Sequence, residues 1–119
     1  MMMIYSVRGA ITIEKDTPEK IELATCELLN KIIMKNNIDI NNITQIIFSA
    51  TKDITKAYPA YYARKMGINN ACFMCVQEMY VEGSLNLCIR VLLNFIDKPG
   101  KNVFHVYLGK AKILRPDLN

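Results

Sequence analysis

Residues 85–96 alternate in a way that restricts the fold more than any other stretch. Leu85, Leu87, Ile89, Val91, Leu93 and Phe95 place an apolar side chain at every second position. Asn86, Cys88, Arg90, Leu92 and Asn94 fill the other parity. Successive side chains of a strand point to opposite sides, so the segment reads as a strand with one face in a core. A helical spacing accommodates Leu85, Ile89, Leu92 and Ile96, but the strand template fits better. On that reading Arg90 projects from the face away from the core, beside Cys88.

The flanking segments supply partners for such a strand. Residues 3–13 read as a strand that enters the charged turn Glu14-Lys15-Asp16. Asp16 or Thr17 can cap the helix that follows, and Pro18 suits its first turn. The spacing predicts a helix over 18–36, with an apolar face of Ile21, Leu28, Ile32 and, roughly, Leu29 and Met34. Asn36-Asn37 ends it. Asn41-Asn42 marks a turn before an apolar strand, Ile43 to Ala50. Pro59 opens a short helix, 59–66, which Gly67 terminates. A strand follows at 71–76. After the turn Lys98-Pro99-Gly100-Lys101, a last strand at 103–109 puts His105 and Tyr107 on one face, and Phe104, Val106 and Leu108 on the other.

The expectation is an α/β (α+β) fold in one domain over 1–119, a mixed five-stranded sheet with one face covered by one long and one short helix. The other face, carrying Arg90 and Tyr107, then needs cover of its own. Self-association is the economical source, and it would leave a ligand site between subunits.

Composition narrows the partners. A hydrophobic content of 51% with 22% charged residues belongs to globular proteins, not disordered ones. The net charge of +4 comes from dispersed lysines with no basic run, which argues against nucleic acid. No apolar stretch reaches membrane-spanning length. The start, Met1-Met2-Met3-Ile4-Tyr5-Ser6, has no signal-peptide pattern, and a cytoplasmic location is expected. Cys26, Cys72, Cys75 and Cys88 are then expected to be thiols. Cys72-Phe73-Met74-Cys75 has the spacing of zinc and redox sites, but it lies in a strand-like run and no second pair accompanies it.

Of fifteen basic residues only four are arginine: Arg8, Arg64, Arg90 and Arg115. Arginine presents a planar fork suited to carboxylate or phosphate. The four point to a small polyanion, or else to ordinary surface charge and structural ion pairs.

Seven segments carry a resemblance. They are Val7-Arg8-Gly9-Ala10-Ile11-Thr12, Ser49-Ala50-Thr51-Lys52-Asp53, Tyr58-Pro59-Ala60 leading to Arg64, Cys75-Val76-Gln77-Glu78-Met79, Cys88-Ile89-Arg90-Val91, His105-Val106-Tyr107-Leu108 and Leu114-Arg115-Pro116-Asp117-Leu118. In this order, across essentially the whole chain, they resemble the monofunctional, trimeric chorismate mutases of the AroH class. The resemblance implies a homotrimer around a pseudo-α/β-barrel, with active sites at subunit interfaces. It implies conversion of chorismate to prephenate by an intramolecular Claisen rearrangement, with no cofactor and no metal.

By resemblance, Arg90 is the cationic donor to the breaking ether oxygen. Glu78 is the acceptor for the ring hydroxyl and a residue that orients Arg90. Arg8 and Tyr107 match residues that hold a carboxylate, and Cys75 a hydrogen-bond partner near the hydroxyl. Met74, Val76 and Gln77 offer backbone groups. Arg64 and Arg115 add positive field or engage the second carboxylate, and Tyr58, Ala60 and Leu114 match the apolar wall. Without the resemblance, Glu78 would read as a salt-bridge residue, Tyr107 as an interface aromatic and Cys75 as a small buried hydrophobe. The chain departs from the family pattern in three places. Met74 stands where a small hydroxyl residue is common, and its side chain is expected to be able to face the core. Tyr61 stands where lysine is common, and Tyr58 where phenylalanine is. Two other functions compete: a non-catalytic trimeric binder of a small dicarboxylate, and an imine deaminase of the related trimeric fold. The latter lacks the Gln-Glu-Met and Leu-Arg-Pro-Asp-Leu segments.

Overall fold

A computed structural model describes residues 1–118; of the expected domain, Asn119 lies outside the described residues. Five strands form one mixed sheet: β1 (Met3–Thr12), β2 (Ile43–Ala50), β3 (Cys72–Gln77), β4 (Cys88–Asp97) and β5 (Val106–Leu108), in the order β3-β2-β4-β1-β5. Strand β4 is antiparallel to both β1 and β2, while β3 and β5 pair parallel to β2 and β1 at the two edges. Helices α1 (Pro18–Lys35) and α2 (Pro59–Lys65) cover one face. Short 3₁₀ helices occupy Ile40–Asn42, Gly109–Leu114 and Pro116–Leu118. No helix among the described residues is long and apolar enough to cross a membrane.

The core follows from strand parity and helix period. Val7, Ile11, Ile46, Phe48, Ile89, Val91, Leu93 and Phe95 point toward the helices, where Ile21, Leu28, Leu29 and Ile32 of α1 meet them. Gly9 marks the closest approach. A Cβ there would lie 2.8 Å from the Val106 carbonyl oxygen, and 3.0 and 3.1 Å from the methyls of Ile32 and Leu28. Glycine is what lets α1 and β5 both sit against β1.

Four expectations need correction. Met34 is exposed, not part of the buried face of α1. At 100° per residue it falls roughly 200° from Ile32, so it points away from the sheet. The alternation of 85–96 begins before the strand does. Leu87 has φ 49° and turns the chain, so only Cys88 onward joins the ladder. The last strand is shorter than 103–109, because the buried Asn36 takes the ladder's place at Phe104. Its side chain donates to the Phe104 carbonyl at 2.9 Å and accepts from the Phe104 amide at 2.7 Å. Finally, the second sheet face is not wholly bare. The 3₁₀ helix Gly109–Leu114 folds over one end, so Ala10, Cys88, Tyr107 and Ala111 form a small second cluster.

Candidate active site

One row of residues crosses the whole sheet on the face away from α1 and α2. Strand register aligns Val76 with Ser49, Ser49 with Arg90, Arg90 with Ala10, and Ala10 with Tyr107. Arg90 is thus at the centre of the sheet, where a strand on either side fixes its backbone. Arg8 sits one row along on the same face, paired with Leu92. The alternation that placed Arg90 away from the core placed it correctly.

Glu78 reaches Arg90 from just beyond β3. Its amide donates to the Ala50 carbonyl at 2.8 Å, which pins its backbone to the end of β2. The Ser49 hydroxyl donates to Glu78 Oε1 at 2.5 Å, and Arg90 Nε lies 3.4 Å from the same oxygen. That separation makes an ion pair, but the alignment does not make a hydrogen bond. Arg90 Nε is buried and no protein acceptor takes its proton. A buried donor without a partner is costly unless something else satisfies it. The arginine side chain as a whole is 36% exposed, so a ligand has access. Below it, burial raises the Cys88 thiol pKa even though Arg90 pulls the other way. Cys88 therefore adds no negative charge to compete for the guanidinium.

The other edge of the same face is polar and basic. His105 Nδ1 accepts from the Arg8 amide at 3.0 Å. Burial, then the charges of Arg115 and Arg8, lowers the His105 pKa. Tyr107 is buried beneath this end, and Leu114 packs against its cluster. Arg115 engages Asp117 through both Nε and Nη2, at 3.1 and 2.8 Å. The Asp117 hydrogen bond raises the Arg115 pKa further, with Tyr107 contributing in the same direction.

The remaining expected residues lie at the β3 edge or on the helix side. A cavity of about 460 Å³ opens at the β3 edge, with Tyr58, Cys75, Val76 and Gln77 in its wall. Arg64, on α2, holds its guanidinium 5.7 Å from the centre of the Phe73 ring. That ring packs against the main core, so Arg64 belongs to the helix-side layer, away from Arg90. Ala60 is buried in the main core. Cys75 also packs against the core, one residue out of phase with Val76. The Met74 side chain is 59% exposed, paired with Ile47, and does not face the core. Cys72 and Cys75, three apart in a strand, lie on opposite faces.

Ser49 was missed as a functional residue. It stands within a recognised segment, and as a hydroxyl straight after the apolar run Ile46-Ile47-Phe48 it carried a signal. Thr51 and Asp53 were likewise read only as part of a motif. Thr51 Oγ1 accepts from the Cys88 amide at 3.0 Å, and the Asp53 carboxylate accepts from the Leu87 amide at 3.0 and 3.1 Å. Together they set the start of the strand that carries Arg90.

Comparison with known proteins finds one family. The family model for chorismate mutase type I matches residues 4–118. A chorismate mutase AroH from Thermus thermophilus is 45% identical over 98% of this chain and 97% of its own length. Its counterpart from Bacillus subtilis is 42% identical over 99% of this chain and 94% of its own. A solved chorismate mutase from Clostridium thermocellum superposes with a TM-score of 0.86 at 38% identity, covering 92% of this chain and 98% of that one.

Proposed function

The chain belongs to the chorismate mutase type I family, and on that premise we propose that Arg90 is the electrostatic catalyst, with Glu78, Arg8, Tyr107 and Arg115 holding the substrate around it. The enzyme is an isomerase that converts chorismate to prephenate in aromatic amino acid biosynthesis. The rearrangement breaks an ether bond and forms a carbon–carbon bond within one molecule. Negative charge grows on the ether oxygen as its bond lengthens. A fixed cationic donor at that oxygen stabilises the transition state more than the substrate. Holding the substrate's side chain over its ring lowers the entropic part of the barrier.

One observation supports this assignment above the rest. Arg90 Nε is buried beside Glu78 yet makes no hydrogen bond. Glu78 holds the guanidinium in place without occupying that donor, which leaves it for the ether oxygen. Glu78 Oε2 is then placed to accept from the ring hydroxyl. Arg8 and Tyr107, on the same sheet face, take one carboxylate, with Arg115 beside them.

We propose further that the active unit is a homotrimer. Arg90, Arg8 and Tyr107 do not line the β3-edge cavity of their own chain. An interfacial site joins one subunit's Arg90, Arg8 and Tyr107 to another's Tyr58, Arg64, Cys75 and Gln77. The pseudo-α/β-barrel arises when three open sheet faces turn inward. Single-domain organisation and a cytoplasmic location complete the reading, and four cysteines without disulfides fit a reducing compartment.

The test is the loss of chorismate absorbance with native protein, Arg90→Lys and Arg90→Ala. Native protein is expected to convert chorismate rapidly. Removing the donor is expected to cost roughly 3–4 kcal/mol of transition-state stabilisation, a fall of at least several hundredfold in kcat. Lysine is expected to recover only part of it, for want of the planar fork. Full activity in a folded Arg90→Ala protein would remove Arg90 from the mechanism.

A further inference from the structure

We propose that Ser49 is a positioning residue that keeps Glu78 from closing onto Arg90; the inference rests on the reading of Arg90 as catalyst. Strand β2 is apolar from Ile43 to Ala50 except at Thr44, Gln45 and Ser49. Ser49 is half-buried and stands directly across from Arg90 in the ladder. Its hydroxyl donates to Glu78 Oε1 at 2.5 Å, within the span of hydrogen bonds from a hydroxyl to a carboxylate.

Two anchors therefore fix Glu78. Its amide is held by the Ala50 carbonyl and its carboxylate by the neighbouring Ser49 hydroxyl. Arginine and carboxylate frequently settle into a two-pronged pair with parallel hydrogen bonds. Here Arg90 Nε stays 3.4 Å from Oε1, without hydrogen-bond alignment. The serine takes the oxygen that the guanidinium would otherwise claim. Without it, Glu78 is free to swing and close the two-pronged pair. Arg90 Nε would then donate to protein instead of to the ether oxygen. The guanidinium would also tilt away from the substrate.

The effect belongs to the chemical step. Carboxylate binding by Arg8 and Tyr107 lies on the other strands and does not depend on Ser49. Ser49→Ala is expected to lower kcat roughly ten- to a hundredfold, the scale of a misplaced catalytic group, with KM changed by less than about threefold.

The decisive comparison is Ser49→Thr against Ser49→Val, two side chains of one shape that both suit a strand. Threonine keeps the hydroxyl and is expected to retain most of kcat. Valine is expected to match alanine. Circular dichroism and sedimentation of each variant would establish an unchanged fold and assembly. Equal loss in Thr and Val would assign the effect to packing and overturn the proposal. Full kcat in Ser49→Ala would overturn it as well. If Arg90→Ala abolishes activity while Ser49→Ala does not, only this inference fails. If Arg90→Ala is active, the reading beneath it fails instead.

Discussion

His105 is the chain's only histidine, and it stands just before β5, against β1. Nδ1 accepts from the Arg8 amide, so the neutral ring carries its proton on Nε2. A proton on Nδ1 would cancel that bond and place a cation among Arg8 and Arg115. Burial, with those two charges, holds the folded pKa below the ordinary histidine range. The unfolded chain then binds the proton more readily than the folded one. Stability from neutral His105 is complete above the unfolded pKa and is lost as pH falls through the folded one. The urea midpoint is therefore expected to drop between pH 7.5 and pH 5. His105→Asn keeps an acceptor and cannot titrate, so its midpoint is expected to fall less over the same range. Parallel curves for the two proteins would show that another group is responsible. Asp16 illustrates what a sequence leaves open at this scale. Asp16 and Thr17 both suit a helix cap, and Thr17 takes the role by accepting from the Lys20 amide. Asp16 turns instead to the loop before α2. Burial alone would raise its pKa, but hydrogen bonds from Thr55 and Lys56 hold it low.

The turn into β4 is the most demanding piece of local structure. Leu87 adopts φ 49°, a left-handed conformation that costs a non-glycine residue about 1–2 kcal/mol. The Asp53 carboxylate accepts from its amide, and Thr51 Oγ1 both donates to Asp53 and accepts from the next amide, Cys88. The loop after β2 thus acts as a template for the start of β4. Asp53→Ala leaves the Leu87 amide unpaired and is expected to cost about 1–3 kcal/mol. A urea titration would report it as a lower midpoint at unchanged slope. A midpoint within experimental scatter of the native one would mean that the turn holds without Asp53. The same turn explains what was legible. Alternation from Ile89 to Phe95 is a property of neighbouring residues and gave β4, its buried face and Arg90's direction. The break at Leu87 depends on Asp53, 34 positions earlier in the chain, so the pattern appeared to run on to Leu85. The early end of β5 depends in the same way on Asn36, 68 positions before Phe104. Helix α1 was legible because Thr17, Pro18 and the apolar spacing are local. Glu78 beside Arg90 was known only through resemblance, since no spacing relates the two.

At the scale of the molecule, the helix-covered face closes a core and the other face does not. Ile4 is 72% exposed, and Met74 and Val76 are also open, on the face that carries Arg90. An apolar surface next to Arg90 fits burial by other subunits better than contact with water. A trimer of the kind proposed would give that face a partner and would bring a second copy of the β3-edge residues to it. Ile4 offers a way to test that assembly while leaving the chemistry alone. It pairs with Ile96, six residues along β4 from Arg90 and so about 20 Å away. A charged residue at an exposed position changes monomer stability by no more than about 0.5 kcal/mol. Buried between subunits and unpaired, the same charge costs several. Ile4→Glu is therefore expected to keep its circular dichroism spectrum while sedimenting near the 13.6 kDa of one chain. Its kcat/KM is expected to fall about a hundredfold or more, the scale of catalytic geometry lost. Raising protein concentration should restore part of the activity by mass action, which separates lost assembly from a damaged site. A fully active monomer would show that the residues of one chain suffice, and that no second subunit takes part in the reaction.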